Sequence, residues 1–414
     1  MNKLILIMVD GISSEHFQRI RHQLPHLDRL AKQGTYVKAL TPETCGTSFP
    51  GRTSMVVGRP SSEHGIYGNR IWDGEVFRWS NPYDVRTETL ASLTKSTGGD
   101  VVNMGYGMVR PEDCDLYVSP WWIEHVLSDA VDGSPHPANE NWSMRSKNLD
   151  PQQRLVTLGL DVKNLVNPCA DKSQVLSLGI LADYQLLEMA ANVITSSNPP
   201  DLLMLEIAIT DYFLHVYGAA SSITEMSLRS ADAQIGTLLE RLRNSGQLDQ
   251  YNFAIMSDHG HHLMRDAIHC DVLLPDGCRW SSEGSMLFVA PRSNQESKNV
   301  TQILLAQGME VWSEPLLPND VKDQILVFSC PEGLYISFEK DSQNTGEITG
   351  ISHYQSNHGM RPGTKEDYRF CIFSGPNVPQ QQIEFAQAIQ VAPTMASIMG
   401  VNTPWSVQPI FVPV

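Results

Sequence analysis

Three short apolar runs, Leu4–Val9, Leu202–Leu205 and Phe253–Met256, constrain this chain more than any other feature. None alternates with polar residues, so each needs apolar cover on both faces. That is the pattern of a strand inside a parallel sheet with helices above and below it. Helical spacing follows the first run over about 14–33, through Phe17, Ile20, Leu24, Leu27 and Leu30, with a break or kink at Pro25. A helix over 180–197 precedes the second run. Another, over about 221–243, links it to the third through Ile223, Leu228, Ala231, Ile235, Leu238, Leu239 and Leu242. Strands alternating with helices predict an α/β fold: a doubly wound, mostly parallel sheet flanked by helices.

The rest of the chain is organised around that sheet. Tyr36–Leu40 and Phe370–Phe373 read as further strands, and 386–399 as a closing helix stopped by Gly400. Residues 61–180 are punctuated by glycine and carry Trp72, Trp79, Trp121, Trp122 and Trp142. They read as irregular hairpins and loops laid over the sheet, with a helix near 87–96. Short strands at 286–289, 326–328 and 334–338 and a helix near 298–307 read as an inserted smaller subdomain or lid. The expected organisation is a catalytic core over 1–262 with a loop-rich insert at about 70–180, a subdomain over 263–355, and the closing part of the core over 356–414.

Composition narrows the partners. A formal net charge of −16 argues against duplex nucleic acid held by phosphate neutralisation. Seven cysteines (45, 114, 169, 270, 278, 330 and 371) are odd in number and lack CxxC spacing. Reduced thiols are expected rather than a disulfide framework. The first apolar run stops at Asp10-Gly11, too soon for a secretory leader or for the roughly 18 apolar residues of a membrane span. The expectation is a cytoplasmic protein with no membrane partner that acts on a small molecule. Nothing in the sequence bears on its oligomeric state.

The chemistry gathers where the strands end. In open α/β sheets, ligands bind beyond the carboxyl ends of the strands. The first run ends at Asp10, the second a few residues before Asp211-x-x-x-His215, and the third at Asp258-His259; His358-Gly359 precedes the strand at 370–373. Singly, each has a structural reading: a turn for Asp10-Gly11, a helical ion pair for Asp211 and His215. Together, three carboxylates and three histidines form a mixed oxygen and nitrogen set suited to Zn²⁺, or to Mn²⁺. Six ligands exceed one tetrahedral zinc and fit two divalent ions, which about 4 Å apart clamp both oxygens of an in-line displacement. His261, His262 and His269 read as surface or supporting residues. The stretch from Thr47 to Gly58 reads as a helix whose start, Ser48-Phe49-Pro50, combines a capping hydroxyl with an early proline. A helix N-terminus also favours an anion, which makes Ser48 a candidate nucleophile beside a phosphate or sulfate.

In this order the motifs resemble the alkaline phosphatase superfamily, in its nucleotide pyrophosphatase/phosphodiesterase branch. The matching elements are Asp10, Ser48-Phe49-Pro50, His64-Gly65-Ile66 to Asn69, Asp211 to His215, Ser257-Asp258-His259-Gly260 and His358-Gly359. Ala392-Pro393-Thr394-Met395 to Gly400 resembles the family's closing helix. The resemblance implies an alkaline phosphatase-like sheet and two ions. It puts one ion on Asp211, His215 and His358, and the other on Asp10, Asp258 and His259. Ser48 would bridge them as the nucleophile, and Asn69 would donate to a non-bridging phosphoryl oxygen. The implied function is hydrolysis of phosphodiester or pyrophosphate bonds through a phosphoseryl intermediate.

Two departures stand out. Gly51-Arg52 replaces the family's Asn-His or Asn-Tyr, and Ser48-x-Pro50-x-Arg52 resembles the sulfatase signature instead. A sulfatase or phosphonate monoester hydrolase, with Ser48 oxidised to formylglycine, is therefore one alternative; a phosphomutase of the same superfamily is another. The single Asp10 and the complete second ligand set favour an unmodified serine. Arg52, one turn into its helix, reads as a contact for the substrate anion. Family members stack a nucleotide base between the aromatic after the nucleophile, here Phe49, and a tyrosine five residues before the helix Asp. This chain has Glu206 at that second position.

Overall fold

A computed structural model describes residues 1–123, 148–170, 172–314 and 316–414, so Trp142 lies outside the described residues. The central sheet has eight strands: β1 (Lys3–Val9), β2 (Thr35–Thr41), β3 (Val101–Met104), β4 (Leu116–Val118), β5 (Leu202–Ile207), β6 (Tyr251–Met256), β7 (Arg369–Ser374) and β8 (Gln381–Gln387). Their order across the sheet is β8-β2-β7-β6-β1-β5-β3-β4, and only β7 runs antiparallel to its neighbours. The seven helices that matter here are α1 (Ser14–Ile20), α2 (Pro25–Gln33), α3 (Ser48–Val56), α4 (Val175–Ile194), α5 (Ile209–Tyr217), α6 (Ser222–Asn244) and α7 (Val391–Met399).

The three apolar runs are β1, β5 and β6, side by side at the centre. Each is buried on both faces by the alternation of a strand. Ile5, Ile7 and Val9 pack into a layer with Phe17 of α1, Leu27 of α2, Leu187 of α4 and Ile235 of α6. Leu4, Leu6 and Met8 pack into the opposite layer with Met55 of α3 and Met395 of α7. A fully buried aliphatic side chain contributes about 1.5–3 kcal/mol, more than the ~0–1 kcal/mol of an exposed ion pair. Hydrophobic cover on two sides therefore fixes the sheet. Pro25 divides the first helical stretch as expected: α1 ends at Ile20 and Pro25 opens α2 in the first-turn position. Asp232 of α6 accepts the Leu27 amide at 2.8 Å, capping α2 from a neighbouring helix.

Three readings are corrected. Val101–Met104 and Leu116–Val118 do not lie over the sheet; they extend it as parallel strands, the first beside β5 and the second beside the first. The closing helix expected over 386–399 begins only at Val391; Ala386 and Gln387 instead end an edge strand, Gln381–Gln387, paired parallel with β2. The helix expected over 180–197 is α4, which starts and ends earlier. Between α6 and β7 the chain does form small sheets of its own. One is four-stranded and antiparallel (Arg279–Ser282, Met286–Ala290, Leu326–Ser329, Glu310–Val311). Its Met286 and Phe288 pack on Tyr67, Ile71, Trp72 and Phe77, so the hairpin of Arg70–Trp72 and Phe77–Trp79 and the insert share a core. No helix among the described residues is long and apolar enough to cross a membrane.

Candidate active site

Strand register brings the first of the candidate ligands together. Val9 lies beside Ile207 and Met8 beside Met256, so β1, β5 and β6 end at one level. Asp10 follows directly; its carbonyl accepts the Thr210 hydroxyl at 2.6 Å, which ties α5 to the end of β1. Asp258 and His259 follow β6, and the Gly11 amide donates to Asp258 Oδ1 at 3.2 Å. Gly51 of α3 rests against the Asp258 carbonyl, where a Cβ would collide with backbone. Gly359, at φ +78°, packs against the Glu283 carbonyl in the same way and thereby seats His358. Two close approaches that only glycine permits thus set the distance between α3, a strand end and the late histidine.

The side chains form three overlapping groups, Asp211–His215–His358, Asp10–Asp258–His259 and Asp211–His259–His261, within each of which one potential ligand atom per residue lies within 4.8 Å of the others; the first two are the sets expected from the sequence. His259 Nδ1 donates to the Gly260 carbonyl at 3.0 Å, which leaves Nε2 facing Asp10 Oδ1 at 3.2 Å. His215 Nδ1 likewise donates to the Ser356 carbonyl at 3.2 Å, and its Nε2 lies 3.3 Å from Asp211 Oδ2. In each case a backbone acceptor fixes the tautomer and aims the other nitrogen inward. His261, read as surface or supporting, is buried and sits 2.6 Å from Asp211 Oδ1. Among the described residues, Asp10 Oδ1, Asp258 Oδ2 and His358 Nδ1 are buried without a hydrogen bond.

The electrostatics describe a cluster short of positive charge. Burial pushes Asp10 well above the ordinary carboxylate range, despite the pull of Arg52. Burial would push Asp211 up too, but His215 and His261 hold it well below that range. His259 rises to about 10: burial opposes its charge, and Asp258 and Asp10 outweigh burial. A proton on His259 therefore supplies charge that a divalent cation would replace. Oxygen and nitrogen donors, inward-facing nitrogens and carboxylate oxygens without hydrogen bonds fit two divalent ions.

Ser48 stands beside this cluster, with Oγ 3.2 Å from His259 Nε2. Thr47, not Ser48, occupies the cap position of α3, and no side chain caps it. The Ser48 hydroxyl is thus not spent on capping. Few first-turn amides remain for an anion, because Phe49 donates to Asn69 Oδ1 at 2.8 Å, Pro50 has no N–H, and Gly51 donates to the Thr47 carbonyl. The Phe49 bond orients Asn69, leaving its Nδ2 as the donor half available to a ligand. The backbone amide of Asn69 is held in turn by Glu283 at 2.8 Å, a buried carboxyl pushed up to about 7 by desolvation.

The sequence profile of the type I phosphodiesterase / nucleotide pyrophosphatase family matches residues 4–354. The chain belongs to this family. Bovine bis(5'-adenosyl)-triphosphatase ENPP4 is 25% identical over 297 residues, covering 70% of this chain and 53% of that protein. The human protein of the same name is 22% identical over 422 residues, 97% of this chain and 78% of the relative. The chain therefore spans about half the length of the bovine relative. Solved structures share the fold: human ENPP5 has a TM-score of 0.69 at 15% identity, with 97% of this chain and 96% of that one covered. An inactive murine ENPP5 in complex with AMP has a TM-score of 0.68, also at 15% identity, over 97% and 96% of the two chains.

Two residues expected to face substrate in this phosphodiesterase family member lie elsewhere. Phe49 is buried, its ring 5.8 Å from that of Trp79 and 5.6 Å from that of Trp122. Arg52 is 2% exposed and turns under the cluster onto carboxylates, because three acids there outcompete a route to the surface. An open cavity of about 660 Å³ adjoins the site instead, lined by Asn69, His215 and His358 on one side and by Arg70, Trp79 and Arg279 on another. The hairpin and the insert supply that wall. No motif announced it, although the tryptophan-rich stretch held one of its aromatic members, Trp79.

Proposed function

We propose that this protein hydrolyses phosphodiester or pyrophosphate bonds of small nucleotide-like molecules, with Ser48 as nucleophile and two divalent ions, most readily Zn²⁺, as cofactors. The observation that carries the proposal is the position of Ser48 Oγ, 3.2 Å from His259 Nε2, beside two triads of candidate ligands. Asp211, His215 and His358 would hold one ion, and Asp10, Asp258 and His259 the other, with Ser48 between them. Bound ions would lower the pKa of the Ser48 hydroxyl and offset charge on the phosphoryl oxygens.

Ser48 Oγ, its proton released to solvent, attacks phosphorus, forming the phosphoseryl bond as the bond to the leaving oxygen breaks and that oxygen takes a proton from water. Water then attacks the same phosphorus and gives up a proton, and the electron pair returns to Oγ, which is reprotonated. Asn69 Nδ2 donates to a non-bridging oxygen in both steps; the Phe49 amide and Glu283 hold it in place. The cavity beside Asn69 and His358 takes the group on the far side of the phosphate, its aromatic and cationic wall suiting a base or phosphate. The test is a panel of aryl phosphodiesters, monoesters and sulfates with added zinc or manganese. Diesters should turn over fastest, and a preference for sulfates would overturn the proposal.

A further inference from the structure

We propose that Arg52 and Glu206 form one buried positioning unit that sets how strongly the Asp10–Asp258–His259 triad binds its ion, an inference that rests on the two-ion reading above. Both residues depart from the family's sequence pattern, and in the fold they meet. Arg52 Nη2 lies 2.7 Å from Glu206 Oε1 and also pairs with Asp10 Oδ2, while Arg52 Nε lies 3.4 Å from Asp258 Oδ2. All four side chains are buried.

The unit is held from outside the triad. The Trp122 indole donates to Glu206 Oε1 at 2.8 Å and the Gly107 amide to Oε2 at 3.0 Å, so both oxygens are engaged. The Trp122 ring lies 5.0 Å from the guanidinium, and the Tyr106 hydroxyl donates to the Arg52 carbonyl at 2.8 Å. Glu206 thus orients Arg52, and Arg52 takes Asp10 Oδ2, leaving Oδ1 toward His259. The pair's charges cancel, so the triad keeps the charge of Asp10 and Asp258 while one oxygen of Asp10 is selected to face the ion. Without the Glu206 charge, an uncompensated guanidinium would sit beside a bound cation and repel it.

Isothermal titration of ion-free protein with zinc tests this, using wild type, Glu206→Gln, and the double variant Arg52→Met/Glu206→Gln. Glu206→Gln keeps the shape and an acceptor for Trp122, and its melting curve in chelator reports folding separately. The unaltered protein should bind two ions. Glu206→Gln should bind one as before and the other about tenfold or more weakly, the range for outer-shell partners of a ligand. The double variant, which removes both charges, should recover the part of that loss due to repulsion but not reach wild type, because Asp10 Oδ2 then lacks its Arg52 partner. The inference is overturned if Glu206→Gln binds both ions as wild type does, wherever its melting temperature moves, if both ions weaken equally, or if the double variant recovers nothing. Fewer than two ions in the unaltered protein would overturn the two-ion reading and this inference with it, a result visible without any variant.

Discussion

Ser48 is the proposed nucleophile, and its neighbours set clear expectations. Ser48→Ala should lower diesterase kcat/KM by roughly 10³-fold or more while leaving the melting temperature nearly unchanged, since its hydroxyl caps no helix. Asn69→Ala should lower kcat by about 10²–10³-fold, the scale of losing one preorganised oxyanion donor. The raised pKa of His259, about 10 in the ion-free protein, gives a pH dependence with a definite sign. At neutral pH its proton must leave before Nε2 can ligate, so ion binding releases a proton. Apparent affinity should then fall about tenfold per pH unit as pH is lowered, a slope that calorimetry in buffers of different ionisation enthalpy measures. For the ion-free fold the linkage runs the other way: stability from this raised pKa is complete below about 6.5 and is lost as pH rises through about 10. At this scale the sequence was legible wherever a ligand sat at the end of an apolar run, as Asp10 and Asp258 do. Arg52 was not, because a cation in a helix points where distant acids allow, and its partners Glu206 and Asp258 come from β5 and from the loop after β6.

Among the elements, α3 and the end of β6 must touch for Ser48 to reach His259. Gly51→Ala would drive a methyl group into the Asp258 carbonyl. Overpacking of this kind costs about 1–3 kcal/mol, and the helix shift it forces should lower activity more than the melting temperature suggests. Equal losses in Gly51→Ala and in a remote core variant matched for stability would contradict that coupling. The sequence displayed β1, β5 and β6 because both faces of each are apolar. It concealed β8, whose residues Gln381 to Gln387 are mostly exposed at the sheet edge and carry glutamine and glutamate between apolar positions. It also concealed β3 and β4, four and three residues long, too short for any period to show. Edge position and brevity, not weak pairing, hid them.

The whole molecule places a cavity wall built from a hairpin and a distant insert against a candidate ligand set drawn from two strand ends, α5 and His358. Their shared core joins Phe77 to Phe288. All seven cysteines are free thiols, so titration in denaturant without reductant should count seven. Ions held by residues of β1, α5 and the β6 end should also stabilise the entire sheet. Free ion at 100 times its dissociation constant adds about 2.7 kcal/mol per site, read as a melting temperature that rises with zinc and falls on chelation.

The most direct test of Ser48 as nucleophile is acid quenching during turnover of an aryl phosphodiester with saturating zinc, followed by peptide mass spectrometry. A phosphoryl ester adduct on the peptide containing Ser48, absent from Ser48→Ala, is the predicted result. Turnover at near wild-type rate by Ser48→Ala, with no adduct in either protein, would contradict it.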